Sequence, residues 1–409
     1  MSRIRTSSFA GGAGGKRFRS FNGSVINDET HPPIADFVKS VCIDDVGKGV
    51  DHLLSITHSD LSGIAPLTGE DGVNGAGWYY KYLGWIPDAN AAPPSPISGS
   101  LLPLPGVVAT ATLARSNPSR PVVSVPNFLF ELKDLPGMIH EIGMLKLLRR
   151  YSPKEYYRIA QAEGGSSKFA ANRFLSYTMG WQPLISDLRK MFEFRDSVKN
   201  RVKDLDVLFN QNGGLHRTVG KARVPSKSNG FKGSPGAWEE TNTTSGTVFI
   251  DTGNGQLVTC RRDTITTTHM WGSVRWTNPY PKHPRLSHQE LEKLARSIIF
   301  GLNVTPKEIW DAVPWTWLVD WFANFGDYLD STNNVLALAP SVPLVMTHMR
   351  TEESWTRSDN LKWLTGGNGI RLYETKSRIT QGATLSATIP IISGRQFSIL
   401  GALALQRSR

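Results

Sequence analysis

Ser287-His288-Gln289-Glu290-Leu291-Glu292-Lys293-Leu294-Ala295-Arg296-Ser297-Ile298-Ile299 carries both a helix start and a helix face. Serine followed three residues on by glutamate is a capping box: the hydroxyl accepts from a free backbone N–H of the first turn, and the carboxylate reaches back to the cap. Leu291, Leu294, Ala295, Ile298, Ile299 and Leu302 then recur at helical spacing, so the segment predicts an amphipathic helix. Two further boxes, Ser152-Pro153-Lys154-Glu155 and Thr305-Pro306-Lys307-Glu308, place proline at the first helical position, where its missing N–H costs nothing. On either side the composition changes. Residues 241–277 are dense in Thr, Val and Trp with a hairpin turn at Asp251-Thr252-Gly253-Asn254-Gly255, and 342–392 repeat the pattern around Gly366-Gly367-Asn368-Gly369. Helices and strand blocks thus recur without regular βαβ alternation. That predicts an α+β fold with segregated layers, its regions built from discontinuous segments.

Further helices follow from the same periodicity. Leu188, Met191, Phe192, Val198, Val202, Leu205 and Phe209 form a long stripe after Pro183, with Arg189, Lys190, Arg195, Lys199, Arg201 and Lys203 on the other faces. A last helix is expected over 394–407, with Phe397, Leu400, Leu403 and Ala404 as its apolar side. Residues 1–130 are rich in Gly, Pro and Ser and read as short strands and long loops, the first 25 residues mobile.

The 409 residues, 39% hydrophobic and with twelve Trp, suffice for about two or three domain-sized units. Cys42 and Cys260 stand far apart in no C-x-x-C setting, which excludes a disulfide framework and a zinc knuckle and leaves isolated thiols or one bridge. The basic, Gly-rich start has no apolar core of a secretion signal. No apolar run reaches a membrane span, and the longest candidate, Val313–Phe325, is broken by Asp320. Folding in a cytosol is the expectation.

Charge is the most informative global property. The chain carries 46 Lys+Arg against 35 Asp+Glu, and the excess is gathered into three stretches. Residues 1–27 hold Arg3, Arg5, Lys16, Arg17 and Arg19 with no acid; 189–232 hold eleven basic side chains against four acidic; 371–409 hold six against one. The remainder is slightly acidic. Basic patches on such a background are the footprint of a polyanion binder.

Catalytic constellations are missing. Gly11 to Lys16 only superficially suggests a phosphate loop: the first required glycine falls at Ala10, and Arg17 stands where Ser or Thr is needed. A flexible basic arm is the better reading. His140-Glu141 opens a zinc-protease pattern, but Met144 occupies the second histidine position. Glu239-Glu240 are adjacent on a strand and point to opposite faces. Asp320, Asn324 and Asp327 fall at i, i+4 and i+7 and read as a solvated stripe opposite Leu318, Trp321, Phe322 and Phe325. No enzyme, metal site or cofactor is expected.

Two segments and the tail exceed generic core sequence. They are Gly180-Trp181-Gln182-Pro183-Leu184-Ile185-Ser186-Asp187-Leu188, then Val313-Pro314-Trp315-Thr316-Trp317-Leu318-Val319-Asp320-Trp321-Phe322 after Ile309-Trp310, and Leu400-Gly401-Ala402-Leu403-Ala404-Leu405-Gln406-Arg407. In this order they resemble the maturation (A) proteins of small single-stranded RNA bacteriophages, whose blocks read G-W-x-P-L-x-S-D, then W-x-x-V-P-(aromatic)-x-(aromatic)-x-V-D-W, then A-L-A-L-x-R. The resemblance covers about 170–330 and the tail. Gly180, Trp181, Pro183, Asp187, Pro314, Trp315, Trp317, Asp320 and Trp321 carry it, and the tryptophans are expected to build the core of a helical bundle.

The resemblance implies a single-copy virion protein that replaces part of the coat shell among coat protein dimers. Such a protein binds genomic single-stranded RNA near its 3′ end, attaches the particle to a host pilus and enters with the RNA. It implies an elongated α+β body. The helical part facing RNA and capsid would be 133–210, 287–330 and 394–409. The β-rich part facing the receptor would be 1–132, 211–286 and 331–393. Phosphate contacts are then expected from Arg189, Lys190, Arg195, Lys199, Arg201 and Lys203, followed by Arg217, Lys221, Arg223, Lys227 and Lys232, with Arg407 and Arg409 as weaker candidates. Receptor-binding residues are not indicated. A host-lysis role and an unrelated RNA-binding protein are the competing readings.

Overall fold

The computed structural model of the chain describes residues 2–9, 16–21, 24–30, 38–45, 53–63, 68–69, 78–83, 93–99, 102–122, 161, 166–211, 214–220, 238–251, 257–280, 285–301, 306–312, 316–333, 335–386 and 394–407. In chain order the strands are β1 (Ser2–Phe9), β2 (Lys16–Phe21), β3 (Ser24–Thr30), β4 (Val38–Asp45), β5 (Leu54–Asp60), β6 (Thr68–Gly69), β7 (Trp78–Leu83), β8 (Leu215–Val219), β9 (Trp238–Asp251), β10 (Leu257–Thr277), β11 (Ala339–Pro340), β12 (Leu344–Arg357), β13 (Leu364–Thr365) and β14 (Gly369–Thr380). The helices are α1 (Pro105–Ser116), α2 (Ser166–Leu175), α3 (Gln182–Phe192), α4 (Phe194–Phe209), α5 (His288–Ile299), α6 (Pro306–Ala312), α7 (Thr316–Phe322), α8 (Phe325–Thr332) and α9 (Gly394–Arg407). Helices together with a large antiparallel sheet make the fold α+β, as the segment pattern predicts.

One compact unit comprises Met1–Val108, Thr218–Ser273 and Val342–Gln381. Its sheet runs β1-β4-β5-β14-β12-β10-β9 with every neighbouring pair antiparallel. The predicted hairpin forms, with Leu257 opposite Asp251, and β12 and β14 pair from Trp355 opposite Gly369 to Leu344 opposite Thr380. Gly366 and Gly367, at φ 84° and 81°, supply left-handed backbone before β14. Pairing of β5 with β14, Asp60 opposite Leu372, ties the N-terminal strands to the C-terminal ones.

The inward row of this sheet is polar. Arg371 Nε meets Glu353 Oε1 at 2.7 Å with both side chains less than a tenth exposed, and Thr264 Oγ1 donates to the other Glu353 oxygen at 3.3 Å. Thr266 and Thr351 hydroxyls pair at 3.0 Å beside them. Burial of charge is tolerated because each partner is paired and hydrogen-bonded. Residues 93–99 lie on this row: Ile97 N donates to Thr266 Oγ1 at 3.0 Å, and Gly99 leaves no room for a Cβ beside the Glu240 carboxylate.

The N-terminus departs from the mobile arm expected of it. The eight residues of β1 pair with β4, from Ser2 opposite Asp45 to Phe9 opposite Val38, and β2 pairs with both β3 and β7. Arg3 and Arg5 both reach Asp44, a partner far away in sequence. The Gly11–Gly15 segment lies outside the described residues, as do the His140-Glu141 pair, the Ser152 capping box and Thr305.

The other unit comprises Ala109–Arg217, Val274–Ser341 and Gly382–Arg409. Here the Ser287 capping box is present: Glu290 N donates to Ser287 Oγ at 3.3 Å, and Ser287 N donates to Glu290 Oε2 at 2.7 Å. The stripe it opens packs α5 onto α4, joining Leu291, Ala295, Ile298 and Ile299 to Val198, Val202 and Leu205. A second cluster gathers Leu113, Leu208, Leu215, Val274, Trp276 and Leu338, and buried Trp276 Nε1 donates to Ser116 Oγ at 3.1 Å. A third packs Ala171 and Leu175 of α2 against Ile399 and Ala402 of α9.

Four local features differ from the sequence reading. Helix α1 falls where loops were expected: Val108, Ala109, Thr110, Ala111, Thr112 and Ala114 are all 2% exposed or less, so it has no polar face to create a period. Trp181-Gln182-Pro183 does not start a helix, because α2 runs into α3 through a π-turn, Ser176–Trp181, closed by Gln182 N to Tyr177 O. Pro183 has no N–H for an α-helical bond, and the widened turn ahead of it absorbs that gap. In α9, Phe397 is 70% exposed while Ile399 and Ala402 face α2, so packing rather than side-chain size chose the buried face. The helix expected to carry Asp320, Asn324 and Asp327 on one face breaks between α7 and α8.

That break changes the role of the three polar residues. Asp320 accepts from Gly326 N at 2.9 Å and from Trp310 Nε1 at 3.4 Å. Asn324 Nδ2 donates to Thr384 O at 2.9 Å and its Oδ1 accepts from Ser386 N at 2.7 Å, while Asp327 pairs with Arg115 at 3.2 Å. They tether neighbouring segments and are not a solvated stripe.

Candidate nucleic-acid interface

Of the three basic stretches, two have described cations paired with acidic side chains, at the surface for Arg3, Arg5 and Lys376 and in the sheet interior for Arg371. In the first, Arg3 and Arg5 pair with Asp44, whose carboxyl is held below its ordinary range chiefly by the Arg3 hydrogen bond. In the third, Arg371 is buried against Glu353 and Lys376 sits 3.0 Å from Glu374. The middle stretch is different.

Helix α4 explains why. Val198, Val202, Leu205 and Leu208 recur at i, i+4, i+7 and i+10 and are buried, which fixes the helix rotation. Phe194 stacks on Phe300 with ring centres 4.4 Å apart and holds the N-terminal end. Arg195, Lys199 and Lys203, at i, i+4 and i+8, form a row that starts at the edge of the buried face and turns away from it, and all three are exposed. None forms an ion pair or hydrogen bond with a described residue, and the same holds for exposed Arg189 on α3. At about 1.5 Å rise per residue, the α4 row extends three ammonium or guanidinium groups along about 12 Å of one ridge.

The remaining predicted contacts fare differently. Arg201 is turned inward, donating from Nη1 to Pro118 O and from Nη2 to Arg120 O at 3.0 Å. Burial is the main force lowering its pKa, and its donors are occupied by backbone carbonyls, so it is a fastener of the fold and not a cation offered to phosphate. Arg217 forms an ion pair with Asp204, and Lys190 pairs with Asp187 at 2.8 Å. Lys221, Arg223, Lys227 and Lys232 lie outside the described residues, as do Arg409 and the side chain of Arg407.

The motif residues occupy structural positions. Gly180 and Trp181 close the π-turn, and Pro183 and Asp187 lie in α3. Trp181 is half-buried; so is Trp321, which packs against the α2–α9 cluster, and neither occupies a fully buried core position. Pro314, Trp315 and the side chain of Trp317 lie outside the described residues.

The fold also brings basic side chains to the α4 surface that the sequence spacing does not select. Arg285 and His288 are exposed at the start of α5, and both act electrostatically on Asp206 of α4. Only tertiary packing places them near Asp206, so no local pattern marks them. Among the described residues no group of three His, Cys, Asp or Glu is arranged to hold a metal ion, and Cys42 and Cys260 are free thiols. No described helix is long and apolar enough to cross a membrane.

The assembled surface offers fixed positive charge on a rigid helix, which suits electrostatic capture of a phosphodiester chain. No protein-family model matches the chain, and no curated protein matches it.

Proposed function

We propose that this chain is the maturation-type protein of a single-stranded RNA bacteriophage. On this reading the helical unit binds the genomic RNA near its 3′ end and takes a place in the coat shell, while the β-rich unit attaches the particle to a host pilus. The observation that supports RNA binding best is the α4 row of Arg195, Lys199 and Lys203, exposed and without acidic partners among the described residues. Each phosphate such a cation neutralises releases condensed counterions, so affinity falls as salt rises. Selectivity would come from RNA shape and from unpaired bases stacked on side chains. The ordered Gly180–Leu188, Val313–Phe322 and Leu400–Arg407 blocks support the virion part of the reading.

Particles assembled with and without this chain test the proposal. Those lacking it should retain a coat shell but lose adsorption to piliated cells and infectivity, and immunoprecipitation of the chain from intact particles should recover the genomic RNA. Normal infection by particles lacking the chain would overturn it.

A further inference from the structure

A cavity of about 340 Å³ opens between α4 and the start of α5, beside the cationic row. Its apolar lining is Leu286 with the edges of the buried Val202 and Leu291, and its polar lining is Lys203, Asp206, Asn210 and His288. The space is a groove open to solvent, and its mixture of walls can take one face of a planar ligand with a polar edge and an anionic substituent.

The polar edge of the cavity is well defined. Asn210 is held by three bonds: its Nδ2 donates to Asp206 Oδ1 at 2.8 Å and to Leu286 O at 3.0 Å, and its Oδ1 accepts from Leu286 N at 2.9 Å. Gln211 Nε2 donates to Asp206 Oδ2 at 2.7 Å. These two bonds hold the Asp206 carboxyl below its ordinary pKa, with Arg285 and His288 adding to the effect. A carboxylate has about four acceptor sites, so with one bond made by each oxygen, one site remains on each. Two parallel acceptors are the complement of two parallel N–H donors. Among the RNA bases, guanine presents that pair, N1–H and the 2-amino group; adenine, cytosine and uracil each present fewer donors on that edge. Arg285 acts electrostatically on the same carboxylate and Lys203 lines the cavity with it, so both can offset its charge toward a phosphate.

We propose that this cavity receives one unpaired guanine nucleotide, its Watson–Crick edge on Asp206, its base between the aliphatic walls and the His288 imidazole, and its phosphate at Lys203. The inference deepens the RNA-binding reading and rests on it for the source of the nucleotide. Other bases would enter with fewer hydrogen bonds, so the pocket adds base selectivity to a surface that otherwise reads only charge.

The test uses the full chain with 5′-GMP, 5′-IMP, 5′-AMP, 5′-CMP and 5′-UMP, and inorganic phosphate as a separate probe, followed by calorimetry and saturation-transfer NMR. The proposal expects GMP to bind about tenfold or more tighter than AMP, CMP or UMP, with IMP between them because it lacks the 2-amino group, and strong saturation of the guanine H8. Asp206→Asn should abolish the preference for GMP, whereas Lys203→Ala should weaken all five nucleotides alike. Should Asp206→Asn prove unstable by thermal melting, the GMP-to-IMP ratio of the unaltered chain decides in its place. Equal affinity for all bases, or phosphate binding as tightly as GMP, overturns the proposal. Genomic RNA bound normally by a chain with no guanine preference would sink the pocket and leave the RNA-binding reading standing. A guanine preference in a chain that does not retain RNA would do the reverse.

Discussion

Replacing Asp330 by Asn should stabilise the protein, and by more at alkaline than at mildly acidic pH. Asp330 lies on α8 at 6% exposure, and burial pushes its carboxyl up from 3.8 to about 6. Arg120, 3.6 Å from Oδ2, and Lys307 pull the other way without prevailing. A folded pKa above the unfolded one means that the fold prefers the protonated acid. The contribution is fully present below about pH 4 and is lost as pH rises through 6. At about 1.4 kcal/mol per unit, the two-state linkage gives a cost of about 1–2 kcal/mol at pH 5 and about 3 kcal/mol at pH 8. Asparagine cannot ionise, so the advantage of Asp330→Asn over the unaltered chain should grow by about 1–2 kcal/mol between those pH values. The attraction of Arg120 is already contained in the folded pKa of about 6, so its loss is not subtracted a second time. Urea unfolding of both chains at pH 5 and pH 8, followed by circular dichroism, measures the double difference. A difference that is flat with pH, or that shrinks as pH rises, refutes the assignment of a buried, destabilising carboxylate.

Other outcomes follow from the packing. Glu353→Ala, which strands Arg371 in the sheet interior, should cost about 3–5 kcal/mol in denaturant unfolding, and a neutral result would mean that the pair is solvated. Trp276→Ala removes a side chain 1% exposed and should cost about 3–5 kcal/mol, whereas half-buried Trp321→Ala should cost clearly less; the reverse order would contradict the described cores. Glu374 is held at about 2, first by its hydrogen bond from His348, so its contribution is present above the ordinary carboxylate range and is lost as pH falls from about 4.5 toward 2. Glu374→Gln should remove that part of the acid sensitivity in a pH titration of stability, and an unchanged acid profile would exclude the pair as its source.

Local signals carried much of the architecture. The Ser287 box, the Thr-rich hairpin arm and the glycine turn at Gly366 each contain their own instructions within a few residues, and each forms the predicted element. Helix α1 was hidden because a helix buried on every side has no hydrophobic period to detect. The β1 strand was hidden because its partner, β4, and the acid that neutralises its arginines lie far along the chain.

The interface was legible in the same partial way. Sequence spacing already sets Arg201 in line with Val198, Leu205 and Leu208, so its inward turn follows from the helix period, and Arg195, Lys199 and Lys203 form a row along the flank of that stripe. Spacing could not reveal that Arg217 meets Asp204, or that Arg285 and His288 approach Asp206. Which cations are free depends on acids delivered by other segments, and that information exists only in the folded chain.

The most direct test of the central claim is the salt dependence of genomic RNA binding with Arg195, Lys199 and Lys203 all changed to Gln, beside Arg201→Gln as a control. If the α4 row neutralises phosphates on single-stranded RNA, the slope of log K against log salt should fall by about 2 in the triple variant, from about 0.7 per lost contact. The Arg201 control should lower stability and leave the slope unchanged. An unaltered slope in the triple variant would contradict the account.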